Sequence, residues 1–198
     1  MADASDRLNY ANLLTGSRAL LIIPHAWMVL TEQWWLASLF FVMAWISDVM
    51  DGKLARRFNQ SSAFGGVFDH ATDAIFVSSA CWALAANNHV NGYLAILIPL
   101  AFVQYLLDSN AIRGSELKAS YLGRINGIAY FVLVGIAVIG NALLAALAPD
   151  LPTTQIFNLL STLISYCVVI LGWVLCLSSV ISILDRGVAY LRSRANRE

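Results

Sequence analysis

The chain has 198 residues, 59% hydrophobic and only 12% charged, with a formal net charge of zero; soluble domains carry about 25% charged residues. That balance excludes an ordinary soluble domain and argues against a nucleic-acid partner, so the placement of the few charges carries the information. Cys81, Cys167 and Cys176 are odd in number, sit in apolar runs and lack metal-ligand spacing, which makes them packing residues.

Apolar periodicity predicts six helices, at Leu13 to Leu30, Trp34 to Arg56, Gly65 to Ala86, Gly92 to Ile112, Gly123 to Leu147 and Gln155 to Leu184. Each has about 18 residues or more, enough to cross a hydrocarbon core of about 30 Å. The connections are short, and Pro149 and Pro152 break the last of them. The expected fold class is therefore all-α, an integral membrane bundle of six transmembrane helices forming a single domain over 1–198.

The first helix is preceded by Asp3 and Asp6, with no basic leader and no small-residue cleavage site. It reads as a retained span rather than a signal peptide. Asn12, Thr15 and Arg18 recur every three residues and share one face. An arginine inside a span needs an anionic partner; acids of the protein, a phosphate and the lipid headgroups are the three choices for Arg18. His25, after Pro24, has no companion and reads as a packing or water-facing residue.

The second and third helices carry the acids. Asp48, Asp51 and Ala55 stand three and four residues apart at the end of one; Gly65, Asp69 and Asp73 open the other at intervals of four. A hairpin between them turns four carboxylates into one space. A charged side chain within a membrane costs roughly 2.5 to 3.5 kcal/mol even on the lenient insertion scale, and Lys53, Arg56 and Arg57 do not compensate four of them. Oxygen-only ligands without a His or Cys pair suit a hard divalent cation and not zinc. The alternative is a polar hairpin whose acids merely cap and solvate, which the apolar run around Asp69 and Asp73 disfavours.

Farther along, Asp108 and Asn110 near the end of the fourth helix and Asn126 and Gly127 inside the fifth are polar intrusions, while Arg113 and Arg124 flank the loop between these helices. The sixth helix leads into a basic segment, Tyr190 to Glu198, that reads as a solvated tail. With the amino terminus inside, every Lys and Arg except Arg18 falls at cytoplasmic ends or loops. The other face keeps only Glu32, His89 and Asp150. This positive-inside pattern predicts that both termini are cytoplasmic.

Asp48, Asp51, Gly52, Ala55, Arg56, Gly65, Asp69 and Asp73 match the pattern D-x2-D-G-x2-A-R-x8-G-x3-D-x3-D at every position. With each residue type used about once in twenty, eight fixed positions coincide by chance with a probability on the order of 10⁻¹⁰. The chain thus resembles the CDP-alcohol phosphotransferases, and the likeness covers the whole chain because that family has a six-helix core with its signature across the second and third helices.

The resemblance implies roles. Asp48, Asp51 and Asp69 would ligate a pair of Mg²⁺ or Mn²⁺ ions. Asp73 would complete the second metal site and act as general base toward the acceptor hydroxyl. Two ions clamping a diphosphate suit this displacement. Gly52, Ala55 and Gly65 would let the CDP donor approach the backbone, or else only let helices pack closely. Arg56 would contact the diphosphate; Asn12 and Thr15, in the family's Asn-x-x-Thr-x-x-Arg start, would also face the donor. Arg113 and Arg124 would bind the phosphate of a phosphorylated acceptor, although positive-inside placement alone also accounts for them.

The implied reaction moves a phosphatidyl group from CDP-diacylglycerol to a polar alcohol and releases CMP. It would run in a prokaryotic cytoplasmic membrane with the site facing the cytoplasm, membrane lipids around the chain, no nucleic acid and a homodimer among the allowed assemblies. His70 and Ala74 depart from the branch that makes phosphatidylglycerophosphate, where Pro and Lys are usual. Asp-His-x-x-Asp is instead similar to choline and ethanolamine phosphotransferases, so His70 is an acceptor-side candidate and CDP-headgroup transfer to diacylglycerol is the alternative. A transporter using the acids as a proton or cation relay is the non-enzymatic alternative.

Overall fold

The computed structural model describes residues 10–57, 63–108, 121–149 and 155–195. These form six helices: α1 (Tyr10–Leu30), α2 (Trp34–Arg57), α3 (Ala63–Ala86), α4 (Leu94–Asp108), α5 (Tyr121–Leu147) and α6 (Gln155–Ala195). The count matches the apolar periodicity. Two boundaries differ. α4 starts at Leu94 rather than Gly92 and has 15 described residues, and 109–112, assigned to it by hydropathy, lie outside the described residues. α6 does not stop at Leu184: it continues through 190–195, so the first part of the expected basic tail is helix. Arginines are good helix formers and are favoured near a helix carboxyl end, whose dipole is negative.

Four helices are long and apolar enough to cross a membrane, over Leu13–Leu30, Trp34–Asp51, Tyr121–Leu147 and Gln155–Val188. The chain is therefore a multi-pass membrane protein. α4 is apolar but shorter over Leu94–Leu107, and α3 carries Asp69, His70 and Asp73 in its first half. Trp27, Trp35, Trp45, Trp82 and Trp173 are exposed among many aliphatic side chains, as expected of a surface that meets lipid.

α1 packs against α2 and α3; α3 also meets α4, α2 meets α5, and α6 meets α4 and α5. The centre is an aromatic group. Phe76 stacks on Phe131 at 6.0 Å and on the His25 ring at 4.6 Å, with Phe41 beside them. Ala37, Ala44, Ala80 and Ala83 are buried around it, and small side chains of this kind let membrane helices approach closely. At Gly135 a Cβ would lie 3.1 Å from the Phe41 ring, so glycine there sets the α2–α5 distance.

Interhelical hydrogen bonds satisfy polar groups that lipid cannot. Ser38 Oγ donates to the Val138 carbonyl (3.1 Å), Ser78 Oγ to Ala95 (2.6 Å) and the Gln104 amide to Ile183 (2.8 Å). At one end of the bundle, the Asn87 amide donates to the carbonyls of Val29 and Leu30. This ties the α3–α4 turn to the end of α1. The acids stand toward the other end.

Candidate functional site

Helical spacing puts Asp48 and Asp51 on one face of α2, and Asp69 and Asp73 on one face of α3. The hairpin brings the two faces together as expected. One carboxylate oxygen each from Asp48, Asp51 and Asp69 can be chosen so that all three lie within 4.8 Å of one another. Asp51 is the most enclosed, with a side chain 6% exposed, against 37% for Asp48, 28% for Asp69 and 26% for Asp73.

The third wall comes from α1. Arg18 is fully buried, and its guanidinium meets all four acids. Nη1 donates to Asp48 Oδ1 at 2.6 Å and to Asp73 Oδ1; Nη2 donates to Asp51 Oδ2 at 2.6 Å and to Asp69 Oδ1 at 2.5 Å. Of the three partners open to this arginine, the acids are the ones it takes. One turn earlier, Thr15 Oγ1 donates to Asp51 Oδ2 at 3.1 Å. Thr15 therefore touches the cluster itself, and Ser47 Oγ, donating to the Leu14 carbonyl at 3.0 Å, fixes the α1–α2 register beside it.

A cavity of about 670 Å³ opens against Asp48 and Asp73 and is bounded by α3, α4, α5 and α6. Its size is that of ordinary small-molecule sites, about 300 to 1,000 Å³. Ala74, Ile98, Phe102 and Phe131 make its apolar part; His70, Tyr105, Arg124, Asn126, Ser182 and Arg186 make its polar part. Asn126 is buried and accepts from Ser178 Oγ at 2.6 Å, and Tyr130 and Ser179 share a buried hydroxyl contact of 2.6 Å. The Arg186 guanidinium lies over the Tyr105 ring, 5.0 Å from its centroid.

His70 is exposed, with Nδ1 3.0 Å from the Gly66 carbonyl and 3.7 Å from Asp69 Oδ2, and it lines the cavity beside Gly66. Arg124 is exposed and reaches the same cavity. Gly65 is half-buried, one turn ahead of Asp69. Gly52, Ala55 and Arg56 belong to the last turns of α2 and Asn12 to the first turn of α1, but their surroundings lie outside the described residues. Arg113 also lies outside them.

Sequence reasoning did not assign Tyr105, Ser182 and Arg186 to the site. The available signal was the four-residue step from Ser182 to Arg186 in the second half of α6, and positive-inside placement had already explained Arg186.

The donor set fits a hard divalent cation. It is all oxygen, it converges, and a cationic side chain already occupies its centre. Asp48 and Asp73 face both the cluster and the cavity, so a charged ligand in the cavity would meet the acids directly.

The CDP-alcohol phosphatidyltransferase family profile matches residues 8–183. Among curated proteins, the chain is 30% identical over 114 residues to the CDP-diacylglycerol--glycerol-3-phosphate 3-phosphatidyltransferase of Cereibacter sphaeroides, covering 55% of this chain and 52% of that relative. Enzymes of the same name are 28% identical over 142 residues in Salmonella choleraesuis and 27% identical over 137 in Escherichia coli K12, each match covering 64% of this chain and 74% of the relative. The chain thus spans about half the length of the first relative and about three quarters of the other two. No solved structure matches it.

Proposed function

Because the chain belongs to the CDP-alcohol phosphatidyltransferase family, we propose that it transfers a phosphatidyl group from CDP-diacylglycerol to a polar alcohol and releases CMP. The observation that carries this reading is a four-aspartate cluster that presents Asp48 and Asp73 to a cavity whose other walls carry the cationic side chains of Arg124 and Arg186. Such an arrangement accommodates a diphosphate at the acids and an alcohol beside it.

Asp48, Asp51 and Asp69 would hold Mg²⁺ or Mn²⁺, with Asp73 completing a second site. The ions, when bound, neutralise charge on the diphosphate and on the departing CMP. Asp73 reaches both cluster and cavity, so its carboxylate takes the proton of the acceptor hydroxyl. That oxygen then bonds to the phosphatidyl phosphorus, and the bond from this phosphorus to the CMP oxygen breaks. Thr15 holds the Asp51 carboxylate in orientation.

The acceptor we assign is a small phosphorylated polyol, of which glycerol 3-phosphate, named for the relatives, is the first candidate. Arg124 and Arg186 support it, since guanidinium groups suit a phosphate dianion. His70, on the same cavity, belongs to this acceptor side. We also place the acid end in the cytoplasm, all six helices across a prokaryotic inner membrane and both termini inside, on the distribution of Lys and Arg.

Purified protein supplied with Mg²⁺, CDP-diacylglycerol and either glycerol 3-phosphate or free polyols tests the reading. CMP should appear together with a phosphatidyl product only when donor and acceptor are both present. Turnover with CDP-choline or CDP-ethanolamine and diacylglycerol, and none with CDP-diacylglycerol, would overturn it.

A further inference from the structure

Arg18 poses a problem of electrostatics that the reaction does not resolve. Its guanidinium is fully buried and takes one oxygen from each of Asp48, Asp51, Asp69 and Asp73. Those oxygens surround one guanidinium, two at each terminal nitrogen, and oxygens of Asp48, Asp51 and Asp69 can be chosen within 4.8 Å of one another. A divalent cation would draw the same carboxylates around the point that the guanidinium occupies, at about 2.0 to 2.1 Å for Mg²⁺. Two cations cannot share that point, for reasons of both space and charge. We propose that Arg18 is the resident countercharge of the cluster, and that it gives up the carboxylate oxygens when divalent cations bind, so that arginine and metal compete for one seat.

The inference rests on the metal-dependent reading given above and goes beyond it. One positive charge against four negative ones leaves the cluster anionic, so it still attracts divalent ions with Arg18 in place. Removing one partner from a buried ionic network is strongly destabilising, because the remaining charges stay buried and uncompensated. An arginine that fills the seat therefore keeps α1, α2 and α3 packed while the site awaits its cations. Arg18 Nε is buried without a hydrogen-bond partner among the described residues. Its polar contacts among the described residues thus run through the two terminal nitrogens alone, so the four carboxylates are the hydrogen bonds that it gives up when cations take its place.

The test is equilibrium binding of Mn²⁺ to purified protein, read from the free Mn²⁺ signal in electron paramagnetic resonance. Wild type is compared with Arg18→Met, which keeps bulk without charge, and Arg18→Lys, which keeps charge without the planar fork that reaches four carboxylates. Competition predicts that Mn²⁺ binds Arg18→Met at least about tenfold more tightly than wild type, with Arg18→Lys between them. Thermal unfolding should show Mn²⁺ raising the Tm of Arg18→Met more than that of wild type. Should Arg18→Met fail to fold, a several-fold gain in Arg18→Lys still carries the proposal. Wild-type binding with equal or weaker binding in the variants would overturn the competition while leaving the metal site intact. If none of the three proteins bound Mn²⁺, the metal reading and the competition would fall together.

Discussion

Replacing Asp73 by Asn separates chemistry from architecture in the acid cluster. Asn keeps the shape of the side chain, and its Oδ1 can still accept from Arg18 Nη1. Arg18 also retains Asp48, Asp51 and Asp69 at 2.6, 2.6 and 2.5 Å. With three carboxylates still on the guanidinium and the Asn oxygen in place of the fourth, the fold should lose no more than about 1.5 to 3 kcal/mol, the net worth of a hydrogen bond to a charged group. The lost group is the one we propose as base toward the acceptor, and general-base catalysis typically contributes about 10² to 10⁴ in rate. In barrier terms this is about 2.7 to 5.5 kcal/mol.

CMP release at saturating donor and acceptor should fall by that factor. Binding of the CDP donor, measured by calorimetry, should stay within a few-fold of wild type, and the Tm in detergent should fall by about ten degrees at most. A variant turning over within about threefold of wild type would refute the assignment of Asp73 as base. A variant that lost donor binding as completely as turnover would instead make Asp73 a ligand first.

Excess EDTA should abolish CMP release, and Mg²⁺ or Mn²⁺ should restore it; full turnover in EDTA would remove the metal from the reaction. Neutralising either Arg124 or Arg186 to Gln should raise the acceptor KM about tenfold or more, with the donor KM nearly unchanged, if the cavity receives a phosphate. Equal effects on the two KM values would move these arginines to a general electrostatic role. At Gly172, a Cβ would lie 2.7 Å from Val90 Cγ2, which is buried in the α3–α4 turn. Gly172→Ala should then cost about 1 to 3 kcal/mol by overpacking and lower the Tm, whereas an unchanged Tm would mean that the turn yields freely.

Much of the acid site was legible along the chain because it depends on local geometry. Helical repeat alone determines that Asp48 and Asp51 share a face, as do Asp69 and Asp73, and a short connection leaves α2 and α3 little choice but to form a hairpin. Six helices could be counted for the same reason, since apolar runs separated by breakers need no tertiary knowledge. Their ends were less legible: hydropathy stopped α6 at Leu184, yet helix propensity carries it through arginine-rich turns to Ala195.

What the sequence by itself determined was therefore the membrane class, the six helices and the acids that face one another. The partner of Arg18 was beyond its reach, because an arginine one to two turns into a span can turn to headgroups, phosphate or acids with equal local sense. Only the packing of α1 against α2 and α3, through the buried alanines and the Ser47–Leu14 hydrogen bond, sets the register that delivers it to carboxylates 30 to 55 positions away. Arg186 and Tyr105 likewise join the cavity because α6 lies along α4. That adjacency comes from side-chain fit between distant helices, which no spacing rule encodes.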